Sequence, residues 1–195
     1  ASRWRPWLSA ALCALALGAK ETGALLVVPM LVAAWPDEAG RWPGRLRRAV
    51  AAIMPQLLVA FGGAVALSAA LGTRRHLGGP AYATDLAPLS MLGRLLGYLR
   101  WAFDWSDSIP DRVAVVPSGA DAGGIAVAVA AGLFAVLLVR GGRRTEWLGT
   151  LWFLSLIATV LPLRSHAYLY YLYVPWAGAC LVLASLVSRI AVRWP

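Results

Sequence analysis

Apolar residues run through this chain in long blocks rather than in the alternating pattern of strands. Four blocks are almost free of charge: Ala49–Gly72, Ala122–Val139, Trp147–Leu163 and Leu172–Ile190. Each approaches the ~20 residues that a helix needs to cross a bilayer. In lipid the backbone must satisfy its own hydrogen bonds, which favours helices. The alternation of a transmembrane barrel is missing. The pattern therefore predicts an all-α, polytopic transmembrane helical bundle.

An earlier block, Trp7–Trp35, breaks the rule because Lys20 and Glu21 sit side by side within it. As one straight helix it would reach about 43 Å, against a hydrocarbon core of about 30 Å. It would also hold both charges near mid-bilayer, at about 2.5–3.5 kcal/mol each on insertion scales. A hairpin of two short helices, about 7–19 and 22–35, fits better. It places Lys20 and Glu21 at the tip, where Gly18 and Gly23 permit a sharp turn. Each arm is short for a span and needs neighbouring helices or a thinned bilayer.

The segment 73–121 between two spans has a different rhythm. In APLSMLGRLLGYLRWAFDW, Arg94, Gly97, Arg100 and Asp104 share one helical face, and leucines with Trp101 and Phe103 take the rest. This predicts an amphipathic helix about 88–104, lying on the outer membrane surface, with Arg94 and Arg100 touching headgroups. DWSDSIPD follows as a turn-rich loop. Its Asp104, Asp107 and Asp111 read as a solvated run rather than a metal site, and no metal is expected.

Composition agrees with the pattern. The chain has 195 residues, 60% of them apolar and 14% charged, with a mean hydropathy of +0.68. A soluble domain of this size has too little interior for so much apolar surface. The net charge of +9 would point to nucleic acid in a soluble protein. Here the arginines cluster between apolar blocks, at Arg41–Arg48, Arg140–Arg144 and the tail from Ser188, so no nucleic acid is expected. They read as cytoplasmic anchors facing anionic lipid. The spans then run 49–72 outward, 122–139 inward, 147–163 outward and 172–190 inward. Cys13 and Cys180 lie in apolar blocks, which argues against a disulfide or a metal pair. The abrupt opening ASRWRPW, without an initiator Met or a cleavable signal, suggests the C-terminal part of a larger membrane protein.

On this topology polar groups gather at the outer face: Lys20, Glu21, Arg164, Ser165, His166, Tyr168, Tyr170, Tyr171 and Tyr173. Arginine holds a phosphate as a fork and lysine as a point charge. Histidine can carry protons. The bland reading is an aromatic belt, a compensated ion pair and a snorkelling arginine. The chain has no Walker loop, dinucleotide fingerprint or zinc motif.

Two stretches carry a resemblance. LALGAKETGALLVVPMLV, residues 15–32, resembles the lysine–glutamate–proline segment of GT-C type polytopic glycosyltransferases. These include bacterial relatives of protein O-mannosyltransferases and tetratricopeptide-linked mannosyltransferases. YLYVPWAG, residues 171–178, is similar to their later tyrosine–proline–glycine segment, with Tyr170 where that pattern has arginine. The resemblance implies sugar transfer from a polyprenyl-phosphate donor to an extracytoplasmic acceptor, in a bacterial plasma membrane. It also implies a lipid-linked donor, membrane lipids and the N-terminal half of the same protein as partners, with no cofactor. Lys20, Glu21, Arg164, His166, Tyr171 and Tyr173 become donor-phosphate and lipid-binding candidates. The family's catalytic acid lies near its N-terminus and has no counterpart here, so the catalytic residue is unknown. A transporter or flippase fragment and a non-catalytic membrane scaffold remain alternatives.

Overall fold

A computed structural model describes residues 5–19, 21–37, 41–73, 84–103, 122–163 and 169–191. The described chain is all-α and membrane-spanning. Two helices, Gly123–Gly141 and Tyr173–Ala191, are long and apolar enough to cross a bilayer, and a bent pair makes a third. Large apolar side chains point outward: Leu15 is 70% exposed, Phe61 71% and Val139 75%. That inversion of the soluble pattern fits lipid as the solvent. The contacts divide into two units, residues 1–75 and 76–195.

The first unit opens with α1, Arg5–Ala19. The chain then folds back as a 3-10 turn, Glu21–Leu26, that runs into α2, Val27–Ala33. The fold-back leaves two short arms. Its second arm begins as 3-10 rather than α-helix. The reason is visible at Gly23, where a Cβ would lie 2.8 Å from the Ala16 carbonyl carbon and the Leu17 nitrogen. Backbone meets backbone there, and only glycine allows it. Pro29 occupies the third position of α2, where its missing N–H leaves no intrahelical bond unmade.

Next come α3, Trp42–Ala52, and α4, Met54–Thr73. The block expected to cross straight from residue 49 is broken, because α3 and α4 meet at 67°. The cause is Pro55, which donates no N–H and whose ring crowds the carbonyl four residues back. Ile53 takes up the bend, its N–H shared between the carbonyls of Ala49 and Val50 at 3.2 Å each. Helix α4 packs along α1. Leu17 lies against Gly63, where a Cβ would fall only 1.9 Å from the leucine Cδ2.

The second unit contains α5, Pro88–Phe103; α6, Ala122–Gly141; α7, Arg144–Ile157; and α8, Tyr173–Ala191, preceded by a 3-10 turn at Leu169–Leu172. The tightest packing is α7 against α8. A Cβ at Gly149 would lie 2.5 Å from the Gly178 carbonyl oxygen, and one at Gly178 2.4 Å from that of Gly149. The two glycines let the backbones touch, the way helices associate without a hydrophobic drive between them. The core joins Tyr98 and Ala102 of α5 to Phe153, Ile157, Val160, Leu161 and Leu172.

Two expectations change in this unit. The span 147–163 is helical only to Ile157 and continues as turns to Leu163. Pro162 disfavours helix at the residue before it. The surface helix 88–104 is α5, but its supposed wet face is not wet. On that face Gly97 is buried and Arg94 and Arg100 are half-buried, and on the others Tyr98 is buried and Leu95, Leu99 and Trp101 pack against the core. The Tyr98 and Trp101 rings meet edge to face, 5.6 Å apart.

Candidate functional site

Polar chemistry in the second unit collects at the two ends of α7. After Ile157 the chain leaves the helix within an apolar block, so its carbonyls need donors. They come from the approach to α5. The Asp85 N–H donates to the Pro162 carbonyl at 2.7 Å, and Thr84 pairs with Leu163 as an isolated antiparallel bridge. Arg94, two turns into α5, donates to the Leu161 carbonyl, to the Asp85 carbonyl at 3.2 Å and to the Asp85 carboxylate at 2.8 Å. Asp85 also accepts from the Ala87 N–H at 2.9 Å, which sets the turn into Pro88. The Arg94 and Asp85 side chains are 13% and 24% exposed.

At the other end sits Glu146, in the first turn of α7. Its carboxylate accepts from the Arg143 backbone N–H at 2.9 Å, half of a capping box. It also accepts from the Ser185 hydroxyl at 3.1 Å and from Arg189 Nη1 at 3.0 and 3.1 Å. Its side chain is 2% exposed and that of Arg189 is 30% exposed. Loss of solvation pushes the carboxyl up and is the largest single influence. The hydrogen bonds from Arg143, Arg189 and Ser185, with the charge of Arg189, together outweigh it. Glu146 is held below its ordinary value.

Between these ends lies an apolar cleft of about 530 Å³, bounded by all four helices of the unit. Its wall on α6 runs from Val127 to Val139, about 18 Å of helix at 1.5 Å per residue. Leu99, Phe153, Leu154 and Trp176 face it from the other helices. The Thr150 hydroxyl, also in the wall, donates to the Glu146 carbonyl at 2.7 Å. Apart from Thr150 the wall is apolar.

The residues singled out in the sequence fall unevenly. Lys20, Arg164, Ser165, His166 and Tyr168 lie outside the described residues, as do Asp104, Asp107 and Asp111. For Glu21 and Tyr170 only the backbone is described, each within a 3-10 turn. Tyr171 packs against the core, while Tyr173 is exposed at the start of α8. Pro175 and Gly178 have packing roles, Pro175 buried in the first turn and Gly178 at the helix crossing. Arg94, expected at headgroups, is committed to Asp85 and the end of α7. Arg100 reaches the start of α6, its guanidinium 3.5 Å from where a Gly123 Cβ would be.

Sequence reasoning passed over Asp85 and Glu146. Asp85 stands three residues before Pro88, a turn-then-helix signal. Glu146 falls three residues after Arg143 at a helix start, the spacing of a capping box. Among the described residues no three His, Cys, Asp or Glu side chains gather as metal ligands. No protein family, curated protein or solved structure matches the chain.

Proposed function

We propose that this chain is part of a membrane glycosyltransferase that takes a sugar from a polyprenyl-phosphate donor and passes it to an extracytoplasmic acceptor. The observation that carries the reading is the apolar cleft of the second unit. An isoprenoid chain is long and free of polar atoms, and the cleft along α6 offers it an almost wholly apolar lining. The two sequence stretches that resemble GT-C enzymes supply the rest. On that resemblance Lys20 with Glu21 and, separately, Arg164 with His166 are the candidates for stabilising charge on a departing lipid phosphate. Tyr173, exposed at the start of α8, faces the lipid, while Tyr171, packed against the core, supports that turn. The acidic base belongs to the N-terminal half of the protein, in a bacterial plasma membrane crossed several times.

The test uses the full-length enzyme in proteoliposomes. Ala131, in the cleft wall, is changed to Phe. Transfer from a long-chain donor should fall about tenfold through KM, about 1.4 kcal/mol, while a short-chain donor is used as before. Lys20→Ala and His166→Ala should lower transfer from both donors without affecting insertion. Equal use of both donors by the Ala131→Phe enzyme, with normal turnover in the other two, overturns the assignment. A transporter or flippase fragment is the second reading. The 67° break between α3 and α4 is on its side, because broken helices recur in transporters. Lipid translocation without sugar transfer would select it.

A further inference from the structure

The first unit carries a surface that the proposed function does not use. Helix α3 is short, basic and bent 67° away from α4. With α4 along the bilayer normal, α3 lies nearer the membrane plane than the normal. Its faces are sorted for that position. Ala49 is buried and Leu46 and Val50 are half-buried, all on one side. Arg47 and Arg48 are exposed on the opposite side, with Gly44 and Ala51 between them at about 100° per residue. Arg41, also exposed, stands at the N-cap. A Cβ at Gly44 would meet nothing within 4 Å, so the floor between the arginines is open.

The helix start is fixed in place by aromatic and cationic contacts. Arg45 stacks over the Trp35 ring at 5.5 Å and donates to the Pro36 carbonyl at 2.8 Å. The Trp35 and Trp42 rings lie 6.5 Å apart, and Trp42 is exposed. Tryptophan and arginine together mark the headgroup region. Four arginines occupy 41–48, against Asp37 and Glu38 just before them. The surface is cationic, floored by small residues and flanked by the tryptophans that favour headgroup level.

We infer that α3 is an interfacial helix that binds the phosphates of anionic phospholipid, held between Arg41 and Arg47 over Gly44. A cationic cluster attracts a phosphodiester by its charge, and each arginine near an anionic surface contributes about fivefold in affinity. The inference stands apart from the sugar-transfer reading and does not need it.

The test places an environment-sensitive fluorophore at Ala52→Cys, in a chain carrying Cys13→Ala and Cys180→Ala. Phosphatidylglycerol is titrated into phosphatidylcholine bicelles that hold the whole chain. The expected result is a blue shift that saturates with phosphatidylglycerol and weakens with salt. Arg41→Gln with Arg47→Gln should raise the half-saturation point about thirtyfold. Arg41→Lys with Arg47→Lys, which keeps the charge, should retain most of the response. No response in the parent chain, an unchanged response in the glutamine pair, or equal loss in the lysine pair overturns the inference. So does a matching shift from inorganic phosphate added to phosphatidylcholine alone.

Discussion

The two ends of α7 solve opposite problems with the same pair of residue types. At its start the helix has spare N–H groups, and the hub is an anion, Glu146, which collects donors from Arg143, Ser185 and Arg189. Beyond its end the chain has spare carbonyls, and the hub is a cation, Arg94, which gives its donors to Leu161 and Asp85. Each hub has the sign that complements the helix dipole at its end. The partner charges, Arg189 and Asp85, keep some contact with solvent. The difference teaches that in these clasps the hub ties together separate segments of backbone, while the second side chain balances its charge and, in Asp85, also bonds its own turn at Ala87. The residue bonded to both should then matter more than its partner.

Arg94→Ala should produce the largest loss. It strips a donor from the buried Leu161 carbonyl and leaves Asp85 without its cation. An unsatisfied buried acceptor costs about 1–3 kcal/mol, and breaking a pair adds to that, less here because Asp85 is partly exposed. A total of about 3 kcal/mol is expected in thermal or denaturant unfolding in micelles. Asp85→Asn should cost clearly less, since Arg94 keeps both carbonyls. Equal losses for the two would erase the distinction between hub and balancing charge.

Glu146→Gln comes next, at about 2 kcal/mol, because Arg189 can turn toward water and the amide oxygen still accepts one bond. The same clasp makes a pH prediction. The Glu146 carboxyl lies lower in the folded chain than in the unfolded one, so the folded chain binds fewer protons. Its stabilisation is complete above the unfolded value of about 4.3 and is lost as pH falls through the lower folded value. Unfolding midpoints of the parent should therefore drop on acidification below about pH 4. The Glu146→Gln chain, with an amide that does not titrate, should lack that part of the slope. An identical acid profile in the variant would show that Glu146 is not the group responsible.

Much of this architecture was legible in the residues. The apolar blocks at 122–139 and 172–190 became α6 and α8 within two residues at either end, because period and length decide a span. The fold-back was legible because Lys20 and Glu21 forbid a straight crossing. The bend at Ile53 had its signal in Pro55, but hydropathy alone runs straight through a proline. The clasps were not legible. Glu146 lies in a stretch that reads as a basic loop, and its partner Arg189 is 43 positions away. Arg94 looked like a headgroup residue because periodicity orders residues around a helix without saying which side meets protein. The close crossing at Gly149 and Gly178 was not legible either, because one sequence does not pair two glycines. Of the candidate site, Tyr171 and Tyr173 could be placed, and they part company: one packs inward and the other is exposed.

Ser185→Ala is the smallest change and the sharpest on the anion hub. Its hydroxyl donates to the Glu146 oxygen that also accepts from Arg189 at 3.0 Å. Removing it leaves that oxygen with a charged donor, and the alanine methyl suits its half-buried position in an apolar helix. The loss should be about 1 kcal/mol, near the mean for a single hydrogen bond. Combined with Glu146→Gln, it should add almost nothing, because contacts within one network are not additive. Full additivity in the double variant would mean that Ser185 stabilises α8 by its own bonds rather than through Glu146. The carboxylate would then be a pairwise partner of Arg189 and not a hub.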